Sequence, residues 1–346
     1  MRHGGRVSNA ADSLSTRVYY DRLRADVAPA LAFRATSVDE WRAWRTELTR
    51  QLTDLLGGFP DHRHPLNATV TERVEEEAFV RKRVVFESEP GVAVPAYLLL
   101  PRNVTQGQAL PAVLCLHGHG RGKDDVVGLA ATPKERQQRI QALNYDYGRR
   151  FAERGYVVLA PDARPFGERA ADGMTCAWAM TAGLLLGKTL VGLRVWDAMR
   201  AIDYLQTRPE VDPARIGCVG FSWGGTHTIY TAALDERITA AVVSGYFGAF
   251  GEMLIEAEEC PCQYVPHLLR YADLSDLVSL IAPRPLLIEH GTDDPQATAA
   301  VVDEAYARVE SAYRLIGAAD RIDLDRVAGG HRFSGDRVFD WMDRWL

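Results

Sequence analysis

A chain of 346 residues, 47% hydrophobic and 25% charged, can bury one large core, and a sheet covered by helices on both faces can hold it as a single domain. No run is long and apolar enough for a membrane-spanning helix, and a formal net charge of −6 gives no basis for nucleic acid or an anionic membrane as partner. The opening Met1-Arg2-His3-Gly4-Gly5-Arg6 has no apolar run behind it, so no secretory signal is read and a cytoplasmic location is expected. In that setting Cys115, Cys176, Cys218, Cys260 and Cys262, odd in number, are expected as free thiols. The sequons Asn67-Ala68-Thr69 and Asn103-Val104-Thr105 carry meaning only on an exported chain.

Residues 1 to about 15 read as disordered. Helical spacing then runs from Thr16 to about Leu31, and again from Val38 to Leu56 after the N-cap residue Ser37. In the second stretch Trp41, Trp44, Leu48, Leu52 and Leu55 share roughly one face, which predicts packing. Residues 1–78 are therefore expected as an N-terminal helical extension, docked on the core or on a second subunit of a homo-oligomer. Residues 79–346 carry the main domain. Phe79 to Glu87 and Val92 to Leu100, joined by Glu89-Pro90-Gly91, predict an antiparallel hairpin that starts the sheet. Val113 to Leu116, Tyr156 to Ala160, Ile216 to Val219, Ile238 to Ser244, Leu286 to His290 and Ile322 to Val327 follow as parallel strands separated by helices. The fold class is thus α/β, with a mostly parallel sheet of about eight strands and helices on both faces. Insertions near 170–190 and 245–274 follow strand ends on the edge where ligands bind in open α/β sheets.

Gly220-Phe221-Ser222-Trp223-Gly224 carries the most information. It lies between the apolar strand ending at Val219 and a helical stretch from Gly225 to Leu234, the setting in which a sharp turn exposes a serine nucleophile. A hydroxyl needs a base to take its proton, and the base needs an acid to fix its tautomer, in the chain order Ser, Asp or Glu, His. Gly291-Thr292-Asp293-Asp294-Pro295 ends one strand and Ala328-Gly329-Gly330-His331 ends the last. His331 is the base, since no other of the nine histidines follows both the acid and a last strand. Asp294 is the preferred acid, with Asp293 open as the alternative. The oxyanion of a tetrahedral intermediate calls for backbone donors after the nucleophile and after the third strand, which assigns the N–H groups of Trp223 and His119. Imidazoles two residues apart, as in His117 and His119, can also ligate zinc. That reading is set aside because no cysteine or carboxylate of matching spacing follows. Cys260-Pro261-Cys262, lacking a second pair, reads as a structured loop near the pocket. No metal and no cofactor are expected.

Taken together, His117-Gly118-His119-Gly120, Gly220-Phe221-Ser222-Trp223-Gly224-Gly225, Gly291-Thr292-Asp293-Asp294-Pro295 and Gly330-His331 resemble an α/β-hydrolase. Ala160-Pro161-Asp162-Ala163-Arg164-Pro165-Phe166-Gly167-Glu168-Arg169 and Ile281-Ala282-Pro283-Arg284-Pro285-Leu286 are similar to the bacterial branch of acetyl xylan esterases and dienelactone-hydrolase-like proteins. The resemblance covers about residues 80–346 and implies a serine esterase acting on a small-molecule ester with a small, acetyl-like acyl group. Phe166, Trp178, Tyr246 and Phe247 are the candidate pocket residues. A lactonase, an amide hydrolase or an acyltransferase would use the same machinery, and a non-catalytic binding protein would keep only the fold.

Overall fold

Apolar runs that alternate toward two buried faces, each closed by a turn, become the strands of a single sheet in the computed structural model of the protein. It describes residues 14–102, 107–170, 172–257 and 259–346. The segment expected to be disordered falls, but for its last two residues, outside the described residues, as does the sequon at Asn103. Among the described residues the sheet has nine strands: β1 Thr69–Glu75, β2 Phe79–Glu89, β3 Val92–Pro101, β4 Leu110–Leu116, β5 Val157–Pro161, β6 Val211–Phe221, β7 Ala240–Ser244, β8 Leu286–Gly291 and β9 Ile322–Val327. Their order is β1-β2-β3-β5-β4-β6-β7-β8-β9. The strands β4 to β9 are mutually parallel, while β1, β2 and β3 form an antiparallel meander that joins through β3 and β5.

Two corrections follow. The sheet has nine strands rather than about eight, because Thr69–Glu75 lies inside the N-terminal segment expected to be helical and pairs antiparallel with β2. Its side chains are nearly all exposed, so it has no apolar face to signal a strand. The first helix stops at Ala25 instead of continuing to about Leu31. Pro29 cannot continue a helix, and Ala30 and Leu31 instead donate their N–H groups to the carbonyls of Arg270 and Tyr271.

Side chains from opposite faces of the parallel strands enter different cores, as a sheet covered on both sides requires. On β4, Leu110, Ala112, Leu114 and Leu116 pack toward the helices Leu190–Gln206 and Trp223–Leu234. Val113 and Cys115 face the other way, toward Tyr147–Glu153 and Val338–Trp345. The helix Val38–Leu55 is capped by the Ser37 hydroxyl, which accepts the Glu40 N–H at 3.2 Å. It buries Trp41, Leu48 and Leu52, with Trp44 and Leu55 partly buried against the same core. Among the described residues no single helix is long and apolar enough to cross a membrane.

Chain order places the chemistry. After β4 the chain crosses to β5 on one side and then returns to β6 on the other, so the loops leaving β4 and β6 open next to each other at a topological switch point.

Candidate active site

Ser222 sits between β6 and the helix Trp223–Leu234 with φ 58° and ψ −128°, a left-handed conformation costly for a residue with a Cβ. The surroundings enforce it. A Cβ on Gly220 would lie 2.0 Å from the Gly224 carbonyl oxygen, and one on Gly224 would lie 2.0 Å from that of Leu116, so strand and helix pass too closely for anything but glycine. The Ser222 N–H donates to the Ser244 carbonyl at 2.8 Å, which ties the turn to the end of β7.

The hydroxyl of Ser222 lies 2.8 Å from Nε2 of His331, and Nδ1 of His331 lies 2.7 Å from Oδ2 of Asp294. Asp294 is buried, and its other oxygen accepts the Gln296 N–H at 3.0 Å, whereas Asp293 is exposed and meets the His331 loop through its N–H, which donates to the Gly329 carbonyl. An ionised Asp294 accepting Nδ1–H leaves Nε2 as the acceptor for the serine proton.

The loop after β4 is held with equal care. Gly118 packs against the turn, since a Cβ there would lie 2.7 Å from the Phe221 carbonyl oxygen and 3.1 Å from the Ser222 Cβ. Its N–H donates to the Tyr145 hydroxyl at 2.7 Å. The next N–H, that of His119, has no protein acceptor among the described residues, and neither has that of Trp223 at the first helical position. Two unengaged donors flank the serine, the arrangement an oxyanion needs.

His117 is not a ligand. Its Nδ1–H donates to the Gly118 carbonyl at 2.7 Å and its Nε2 accepts the Ala163 N–H at 2.9 Å, so both nitrogens are used, and burial holds it neutral by lowering its pKa. His227, buried in the helix after the turn, bonds the Arg194 carbonyl, and burial pushes its pKa down to about 3. His119 is different. Its side chain meets Cys176, Cys260 and Cys262, with the four ligand atoms all within 4.8 Å of one another. The ground for setting aside a metal at His119, the lack of cysteines at matching spacing, is corrected here: the three sulfurs arrive from two distant segments.

The pocket expectations need revision as well. Phe166 stands at the site, its ring 5.4 Å from that of His117, 5.5 Å from His119 and 5.8 Å from Trp223. Tyr246 and Phe247 are fully buried in the main core. Trp178 is 57% exposed, in a shallow surface depression with Asp172, Gly173, Met174 and Thr175.

Two contributors were missed. Tyr145 anchors Gly118, and Glu289, buried at the end of β8, accepts the Ser244 hydroxyl at 2.6 Å and the N–H groups of Ser334 and Gly335 at 2.9 and 2.8 Å. Glu289 therefore locks the loop of His331 to the strand beside the serine. Burial raises its pKa against these bonds. A carboxylate inside the apolar run Leu286-Leu287-Ile288-Glu289 was the available signal.

A mostly parallel sheet with a strained serine turn at the switch point, an acid after β8 and a histidine after β9 defines the α/β-hydrolase class. The chain belongs to the Abhydrolase family, which matches residues 6–344. The protein YtaP of Bacillus subtilis (strain 168) is 33% identical over 299 residues, spanning 83% of this chain and 94% of that one. Among the solved structures that share the fold are two that illustrate it. One is a protein from Bacteroides fragilis NCTC 9343, with a TM-score of 0.76 at 21% identity over 90% of this chain and 82% of the other. The second is a glucuronoyl esterase from Solibacter usitatus, with a TM-score of 0.68 at 19% identity over 92% and 98%.

Proposed function

We propose that the protein hydrolyses carboxylic esters of a small acyl group on a bulkier alcohol, such as an acetylated sugar, through an acyl-enzyme on Ser222. The supporting observation is the continuous relay from Ser222 through His331 to Asp294 beside two unengaged N–H groups. As the Ser222 oxygen attacks the ester carbonyl, its proton passes to Nε2 of His331, and Asp294 stabilises the imidazolium. The carbonyl oxygen, now negative, is received by the N–H groups of His119 and Trp223, each such donor being worth about 3 kcal/mol in related chemistry. Collapse expels the alkoxide, which takes the proton from His331. A water then gives its proton to His331, attacks the acyl carbon and releases the acid, restoring the serine. No step needs a metal.

The small-acyl reading draws on the crowding near the donors, where the rings of Phe166, His119 and Trp223 pack against one another beside the loop and turn that carry those N–H groups. A fluorophosphonate probe tests the nucleophile directly. Covalent labelling mapped to Ser222, and lost in Ser222→Ala, is the expected result; an unlabelled, folded wild-type protein would turn the reading toward a binding role.

A further inference from the structure

We propose that His119, Cys176, Cys260 and Cys262 form a tetrahedral zinc site that clips both pocket-side insertions to the loop carrying the His119 N–H. His119 follows β4, Cys176 is the first residue of the helix Cys176–Leu185, and Cys260 and Cys262 flank Pro261 between β7 and β8. All four ligand atoms lie within 4.8 Å of one another, and Nε2 of His119 is 3.5 Å from the Cys262 sulfur. Zinc bonds of about 2.0 Å to nitrogen and about 2.3 Å to sulfur at tetrahedral angles place nitrogen and sulfur roughly 3.6 Å apart, and two sulfurs roughly 3.8 Å apart. The ligand atoms thus already stand near the corners of the tetrahedron. All five cysteines are free thiols. Three thiolates and one imidazole are soft and borderline donors that suit zinc.

Arg194 faces the same cluster. Its side chain is fully buried, and among the described residues no carboxylate lies within ion-pair distance of it. One terminal nitrogen points to the Cys176 sulfur at 3.7 Å, the other has no hydrogen-bond partner, and the guanidinium lies over the Trp223 ring at 3.8 Å. A buried guanidinium requires an anionic counterpart. Zinc with three thiolates and a neutral imidazole carries one net negative charge, which Arg194 balances while donating to a ligating sulfur, as outer-shell groups do.

Four protein ligands leave no open position, so the site is structural and takes no part in the hydrolysis. Its consequence is mechanical. The ligands come from three loops on the catalytic edge, whose shared apolar contacts form only a small cluster around Trp223 and Met180. Zinc would hold them together, and with them the backbone of His119.

Metal analysis of the full chain, purified without chelator from zinc-supplemented cells, tests this apart from any activity. Expected are one zinc per chain, a Co²⁺-substituted form with thiolate-to-cobalt charge-transfer and tetrahedral ligand-field absorption, and cysteines 176, 260 and 262 protected from thiol reagents until a mercurial displaces the metal. Cys260→Ser and Cys262→Ser should each lose most of the bound zinc. Folded wild-type protein that holds less than about a tenth of an equivalent and takes up no Co²⁺, or a disulfide found between any two of the three cysteines, would overturn the proposal.

Discussion

Asp293 and Asp294 are neighbours in one turn, yet their carboxylates live in different surroundings. Asp294 is buried against His331 and Asp293 is in solvent. Replacing the acid that fixes Nδ1–H lets the imidazole adopt the wrong tautomer, so Asp294→Asn should lower kcat by up to about 10⁴-fold. Asp293→Asn should leave kcat within a few-fold and touch only the turn. Parallel kinetics of the two variants on a nitrophenyl acetate check the assignment, and a larger loss in Asp293→Asn reverses it. Ser222→Ala should cost about 10³-fold or more, leaving the rate that binding and the oxyanion donors alone support. Near wild-type turnover by that variant would remove Ser222 from the chemistry. These residues could be read from the chain because strand-turn-helix context and the order Ser, Asp, His are local and sequential signals. The register within Gly291-Thr292-Asp293-Asp294 could not, since burial of one carboxylate over its neighbour is decided by a loop that lies far along the chain.

Loops on this edge are fixed by buried charge. Glu289 holds the His331 loop through the N–H groups of Ser334 and Gly335, and in Glu289→Gln the amide nitrogen would face one or more of those donors. An unmet buried bond costs about 1–3 kcal/mol, so the variant should lose stability by that amount in denaturant titration and react more slowly with a fluorophosphonate. Wild-type reactivity in a destabilised variant would confine Glu289 to a purely structural part. The loop after β5 is tied by Asp197, on the helix Leu190–Gln206, to Arg164 at 2.7 Å and Arg169 at 2.6 Å. Burial alone would raise the pKa of Asp197, but the two guanidiniums outweigh it and hold the carboxyl well below the usual range. A depressed folded-state pKa contributes stability that is complete above the unfolded value of about 3.9 and is lost as pH falls through the folded value. Asp197→Asn leaves Arg169 without a carboxylate partner among the described residues and Arg164 with Glu89 alone, and should cost about 3–5 kcal/mol at pH 7. The gap in Tm between wild type and variant should then shrink below about pH 4, and a gap that is constant with pH would show that packing, not charge, is lost. At this scale the sequence was legible wherever a strand buries both faces, as in β5, β7 and β8, or alternates, as in β9, and silent where an exposed strand such as β1 has no apolar pattern to display.

For the whole molecule, what escaped sequence reading is what the fold assembles from afar. His119, Cys176, Cys260 and Cys262 show no ligand spacing along the chain because each pocket-side insertion is set by its own strand end, and only the switch-point topology makes those ends neighbours. On the proposed small-acyl reading, the same convergence sets substrate size. Phe166 comes from the loop after β5, His119 from that after β4 and Trp223 from the turn after β6, and their rings pack against one another with centroids 5.5 to 5.8 Å apart. Close-packed aromatics on rigid strand ends do not yield easily, and forcing extra methylenes into such a site costs about 1–3 kcal/mol. A step from acetyl to butyryl should therefore lower kcat/KM by about ten- to a hundredfold, with octanoyl lower still. The panel should also include acetylated oligosaccharides, the methyl ester of a uronic acid and a lactone, since the last two place the bulk on the acyl side. Acetyl esters of the bulky alcohols are expected to lead. A maximum at octanoyl, or a preference for the uronate ester or the lactone, would mean that the acyl group lies away from Phe166, with the roles of the two sides of the site exchanged and the serine relay unaffected.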